Sequence, residues 1–152
     1  MGPGHHALRR GRWSEAGRIY LLTFTTANRT PHFREWPAAA EASRLMAGSP
    51  AWQASTLLAW VLMPDHWHGL VELGCDVTLA DCVRRLKGGS ARALRQHHQV
   101  LGRIWAPGYH DHAIRREENL LPVARYLVMN PVRANLVPRA GDYPYWDAIW
   151  LG

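Results

Sequence analysis

The spacing of apolar and polar positions divides the chain into short strands and amphipathic helices. Residues Arg18 to Thr26 are β-branched and aromatic enough to predict a first strand, ended by the turn cluster Ala27-Asn28-Arg29-Thr30-Pro31. Trp36 to Met46 reads as a short helix, with Pro37 suited to its first turn and Gly48-Ser49-Pro50 closing it. Two apolar runs, Thr56 to Met63 and His66 to Leu73, flank Pro64-Asp65 and predict an antiparallel hairpin. From Thr78, which can cap a helix with Asp81 at its third position, a helical pattern extends to about His98. Gly88-Gly89-Ser90 interrupts that pattern, so one continuous rod and a helix–break–helix both fit.

The C-terminal half continues with Ile104 to Arg115, which reads as a bent strand or an extended loop. Glu117 to Met129 predicts a helix, acidic in its first turn as the helix dipole favours, with Leu120, Val123, Ala124 and Leu127 as its apolar stripe. Asn130-Pro131 should stop it, because the residue before a proline is pushed out of the α region. Pro138 to Gly152 reads as an extended tail packed across the surface, and Met1 to Gly17 as a flexible basic arm. The order β–α–β–β–α–β–α, with an antiparallel hairpin inside it, predicts a two-layer α+β sandwich formed by residues 18–152 as one domain.

Composition adds a partner class. The 152 residues carry a formal charge of +6, nearly all of the basic charge is arginine, and Lys87 is the only lysine. Arginine's planar fork suits phosphate, which makes a polyanion the natural partner, although an arginine-rich proteome gives the same composition. Cys75 and Cys82 are too few for a disulfide framework and read as reduced thiols. No apolar run approaches the roughly 18 residues of a membrane span, and the N-terminus has no apolar signal core, so a cytoplasmic protein is expected.

The candidate chemistry centres on His66-Trp67-His68. Side chains alternate along a strand, so both imidazoles share one face while Trp67 anchors the other. A cation bound there needs more ligands. On the last helix Tyr126 and Asn130, four residues apart, lie on one face and would add a phenol and an amide oxygen if that face crosses the sheet at the histidines. A divalent ion held by His66, His68 and Asn130 would keep positions open for phosphate oxygens. A neighbouring tyrosine hydroxyl could attack phosphorus.

His66-Trp67-His68 resembles the histidine–hydrophobic–histidine motif of the HUH endonuclease superfamily. Its context, Val61 to His68, is similar to the single-tyrosine transposases of the IS200/IS605 type. Two further blocks, Trp105 to Arg115 and Ala124 to Ala134, resemble the REP-associated tyrosine transposase branch, and the likeness spans roughly Arg18 to Trp146. The resemblance implies a ferredoxin-like fold, single-stranded DNA cut near hairpins, and a 5′-phosphotyrosine link that leaves a free 3′-hydroxyl. It implies Mg²⁺ or Mn²⁺ as cofactor, Tyr126 as nucleophile, and His66 and His68 as metal ligands. Asn130 stands where insertion-sequence relatives often have glutamine. Monomers and homodimers both occur among such proteins, and association with the nucleoid would follow from the DNA partner. Arg12, Arg18, Arg84, Arg85 and Lys87 are candidate DNA contacts on charge alone.

Three function classes follow: a DNA strand-transfer enzyme, a nucleic-acid-binding module of the same fold that does not cut, and a zinc hydrolase unrelated to DNA. Imidazole suits zinc at least as well as magnesium, but no cysteine or third histidine stands at a tetrahedral-zinc spacing. His110 and His112 form a second His-x-His pattern that reads as packing and loop hydrogen bonding; Tyr109, Tyr143 and Tyr145 are competing hydroxyls without a ligand partner one turn away.

Overall fold

The hairpin fixes the architecture. In the computed structural model, which describes residues 17–115 and 119–150, strand β2 (Thr56–Met63) turns through Pro64-Asp65 into β3 (His66–Glu72). The closing pair is Met63 with His66, and β1 (Ile19–Thr25) flanks β3 on its other side. Helix α1 (Trp36–Ala47) connects β1 to β2, and α2 (Leu79–His97) connects β3 to β4 (His110–Ile114). The chain ends with α3 (Leu120–Val128), the short α4 (Asn130–Arg133) and β5 (Trp146–Ala148). The sheet is five-stranded in the order β4-β1-β3-β2-β5, and every neighbouring pair is antiparallel. Its first six elements form the βαββαβ unit of a ferredoxin-like α+β sandwich; the sequence pattern predicts the two-layer sandwich, and the family resemblance its ferredoxin-like form.

Two apolar clusters cover the two faces of the sheet. On one, Leu22, Phe24, Leu62, Trp67 and Val71 pack beneath Ala39, Met46, Leu79, Leu86 and Leu94 of α1 and α2. On the other, Val61, Met63 and Leu70 pack against Ala124 and Leu127 of α3. Strand β2, covered on both sides, is therefore apolar almost throughout. Glu41 of α1 accepts from His97 and His98 at 2.6 and 2.7 Å, which ties the two helices together at the end of α2.

Of the two forms open for α2, the continuous rod is found. Two mid-helix glycines cost about 1 kcal/mol each relative to alanine. Burial of Leu86, Ser90, Ala91 and Leu94 on either side outweighs that cost. Thr78 caps the helix by accepting from Asp81 N–H at 3.1 Å, the predicted cap. The strand near Ile104 begins later than the pattern suggests, at His110, and Trp105 meets the sheet through a bridge to Thr26 and an edge contact with Phe24. The tail is more than a surface segment. Trp146–Ala148 adds β5 to the edge of β2, and Tyr143 Oη donates to Leu62 O at 2.6 Å. The N-terminal arm up to residue 16, Arg12 within it, and the predicted helix start at Glu117 lie outside the described residues.

Gly69 is required by the aromatic anchor. Trp67 is fully buried and stacks on Phe24 with ring centroids 5.2 Å apart. A Cβ on Gly69 would overlap the edge of the wholly buried Trp67 indole. Gly69→Ala is expected to destabilise the protein by about 1–3 kcal/mol, read as a lowered urea midpoint with an unchanged slope. An unchanged midpoint would show that the indole can shift after all.

Candidate active site

The site is built from a strand register. Pairing sets Thr23 of β1 opposite His68 and Thr25 opposite His66, so Thr23 and His68 share a sheet face. His68 Nδ1 lies 2.7 Å from Thr23 Oγ1, and His66 Nδ1 lies 2.8 Å from Asp65 Oδ1. Asp65 in turn accepts from Arg29 Nε at 3.0 Å. The two imidazoles meet edge to face with centroids 4.7 Å apart. Assigning the proton to Nδ1 of each ring, where its oxygen partner lies, puts the lone pair on Nε2, the nitrogen left for a ligand.

Electrostatics hold both rings neutral. Burial, then His66 and Arg133, pull His68 down to about 3. Burial also lowers His66, more than the Asp65 carboxylate raises it. Burial opposes ionisation of Asp65, yet the hydrogen bonds from His66 and Arg29 keep it below the usual carboxylate range. Because the His68 value is depressed on folding, its contribution to stability is complete above pH 6.5, the unfolded value, and falls as pH drops towards about 3. We expect EDTA-treated protein to lose roughly 2–3 kcal/mol between pH 6.5 and 4.5 through this group. Urea titrations of wild type and His68→Gln should diverge across that interval; parallel curves would count against a buried neutral imidazole.

Tyr126 stands apart from the other four tyrosines. It is 66 % exposed near the end of α3, and its hydroxyl makes no hydrogen bond among the described residues. Tyr20 is buried, Tyr109 packs against the same core, Tyr143 donates to Leu62 O, and Tyr145 packs against Tyr143. The guanidinium of Arg133 lies over the Tyr126 ring at 3.5 Å from its centroid and is close enough to His68 for its charge to be felt there. Arg133 thus lies over Tyr126, and its charge reaches His68.

Asn130 opens α4 directly after Met129, the residue (φ −83°, ψ −1°) at which α3 ends. The stop predicted at Asn130-Pro131 is therefore a restart, with Pro131 tolerated in the first turn. Among the described residues no third His, Cys, Asp or Glu joins the pair to make a metal cluster, and the amide oxygen of Asn130 is the candidate that the helix order leaves.

The basic candidates do not gather here. Arg84 and Arg85 lie on α2, the helix covering the opposite face of the sheet; Arg84 is paired with Asp81 at 3.1 Å and Arg85 is exposed. Lys87 Nζ donates to Ala106 O and Gly108 O at 2.8 and 2.6 Å, which makes it an anchor for the loop before β4. Arg18 is half-buried at the entry to β1. His110 and His112 are exposed on the edge strand β4, with His110 opposite Thr23. Sequence reasoning missed Thr23, Arg29, Asp65 and Arg133; only Asp65, next to His66, carried a visible signal.

With its fold and site described, the chain can be placed among known proteins. A profile described as "Transposase IS200 like" matches residues 17–130, and the chain belongs to that family of single-tyrosine transposases. It is similar to the REP-associated tyrosine transposase of Escherichia coli K12, 28 % identical over 89 residues, covering 57 % of this chain and 50 % of that protein. An uncharacterised Haemophilus influenzae protein is 26 % identical over 95 residues, covering 48 % and 52 % of the two chains. The chain thus spans about half the length of the curated relatives it matches. Among solved structures, a REP-associated tyrosine transposase bound to a REP hairpin shares the fold, with a TM-score of 0.71 at 23 % identity over 96 % of this chain and 82 % of that one. A candidate transposase of Deinococcus radiodurans R1 gives 0.53 at 25 % identity, covering 83 % and 95 %. No helix among the described residues is long and apolar enough to cross a membrane.

Proposed function

We propose that this protein is a divalent-metal-dependent enzyme that nicks and rejoins single-stranded DNA beside hairpins, with Tyr126 as its nucleophile. The observation that carries the reading is Arg133, which lies over the one tyrosine whose ring is largely exposed and whose charge reaches His68. His66, His68 and Asn130 are the residues that would hold the ion. The fit rests on two neutral imidazoles whose Nδ1 atoms are engaged by Thr23 and Asp65. Such nitrogen donors suit Mn²⁺ better than Mg²⁺, which prefers oxygen. When bound, the ion supplies Lewis-acid polarisation of a phosphate oxygen.

The remaining work falls to the protein's own groups. Tyr126 Oη attacks phosphorus; the Oη–P bond forms as the P–O3′ bond breaks, and the electron pair leaves on the 3′-oxygen. That oxygen takes up a proton, and the phenol releases one to solvent. The product is a 5′-phosphotyrosine, and attack by a 3′-hydroxyl reverses it and joins the strands. Thr23 and the Arg29–Asp65 pair hold the imidazoles in orientation throughout. A hairpin substrate is supported by the likeness to REP-associated transposases. Arg18, Arg84 and Arg85 remain candidate contacts to flanking phosphates, as does Arg12 outside the described residues, whereas the carbonyl partners of Lys87 point to a structural role. Such a DNA-handling enzyme would work in the cytoplasm, at the nucleoid.

Incubation with hairpin oligonucleotides bearing randomised single-stranded flanks, followed by a denaturing gel, tests this. With Mn²⁺ a covalent protein–DNA band and a fragment with a free 3′-hydroxyl are expected, and both should be missing in EDTA. Retained hairpin binding without any covalent band would instead identify a non-cutting DNA-binding module.

A further inference from the structure

Arg133 does more than pack. Its guanidinium centre lies over the Tyr126 ring, 3.5 Å from the centroid. Both partners are exposed, so this contact is not forced by burial in the core. Among the described residues Arg133 has no carboxylate partner, unlike Arg29, which is committed to Asp65. A stacked guanidinium uses one face and keeps its N–H donors free at the rim. Arg133 is thus a cation held by geometry against the ring that carries the Tyr126 hydroxyl.

We infer that Arg133 is the positioning residue of the reaction: it holds the Tyr126 ring in its attacking orientation and directs N–H donors to the phosphate that Tyr126 attacks. The inference rests on the strand-transfer reading and sharpens it. Cation–π contact at an exposed site is worth about 0.5–1 kcal/mol, enough to favour one orientation of an otherwise free ring. Donors already aimed at the phosphate then stabilise the charge that grows on its oxygens as the Oη–P bond forms and the P–O3′ bond breaks.

Single-turnover adduct formation with the randomised hairpin pool in Mn²⁺ separates positioning from binding. Arg133→Ala should slow the covalent step about 10²–10³-fold at saturating DNA, as loss of a preorganised donor does. The loss of one phosphate contact should leave hairpin affinity within about threefold. Arg133→Lys should recover little, since an ammonium keeps the charge without the planar stack. Ethylguanidinium added to Arg133→Ala should restore at least a tenfold part of the rate, and ethylammonium should not. Adduct formation at the wild-type rate in Arg133→Ala, or a slowing fully accounted for by weaker binding, overturns the inference. If wild type forms an adduct that Tyr126→Phe loses and Arg133→Ala keeps, the strand-transfer reading survives and this inference alone falls. If wild type forms no adduct with the pool, both fall together.

Discussion

Tyr126→Phe is expected to abolish covalent capture of DNA, with a loss of at least about 10³-fold in adduct formation while hairpin binding stays within about twofold. The substitution removes a single oxygen. The ring that Arg133 covers remains, and because the side chain is 66 % exposed, stability should change by no more than about 0.5 kcal/mol. No other hydroxyl is placed to substitute. Tyr143 Oη is spent on Leu62 O, and burial pushes its phenol upward, away from the ionised form a nucleophile needs. Burial raises Tyr145 in the same direction, and Tyr20 and Tyr109 belong to the apolar cluster under α1 and α2. A denaturing gel decides the matter: a covalent band of undiminished intensity in the variant would place the nucleophile elsewhere.

Tyr126 carries a signal in the sequence, four residues before Asn130 on one helical face, whereas Arg133 carries none. Alternation and punctuation carry local information. Thr56 to Met63 is an apolar run punctuated by Pro64-Asp65, and the predicted strand matches residue for residue. The His66 and His68 side chains share a face because a strand has a period of two, and nothing in the fold can change that parity. Thr23 is different. Its contact with His68 depends on the β1–β3 register, a pairing 45 residues apart in the chain that no local pattern specifies. Lys87 shows how charge alone misleads: its position in a basic helix suggests phosphate, and its ammonium is instead committed to two loop carbonyls. The strand at Trp146–Ala148 is only three residues long and exists because the edge of β2 offers it hydrogen bonds. Continuity of α2 through Gly88-Gly89 was equally undecidable locally, since the packing that overrides two weak helix formers lies on the residues around them.

The histidine pair provides the second large effect. His66→Ala and His68→Ala should each weaken Mn²⁺ binding by more than the roughly 10–100-fold that loss of a ligand's hydrogen-bond partner produces, because each removes a donor nitrogen itself. Asp65→Asn, which leaves both imidazoles in place and alters only the group orienting His66, should fall within that 10–100-fold range. The order of the three variants therefore separates ligand from support. Stability should follow a different order. Removing His68 strips Thr23 Oγ1 of its partner beneath a mostly covered surface, at about 1–3 kcal/mol, whereas removing His66 releases Asp65 to Arg29 alone at an exposed hairpin turn. Titration of the metal-depleted protein with Mn²⁺, followed by electron paramagnetic resonance of the free ion, reads affinity without any DNA. If both alanine variants bind the ion as wild type does, the pair is a structural feature of β3, and the metal dependence proposed for cleavage must reside elsewhere. Should His68→Ala lose the ion while His66→Ala keeps it, the Arg29–Asp65–His66 chain becomes a device for shaping the hairpin turn, and His68 alone is left to meet the charge of Arg133.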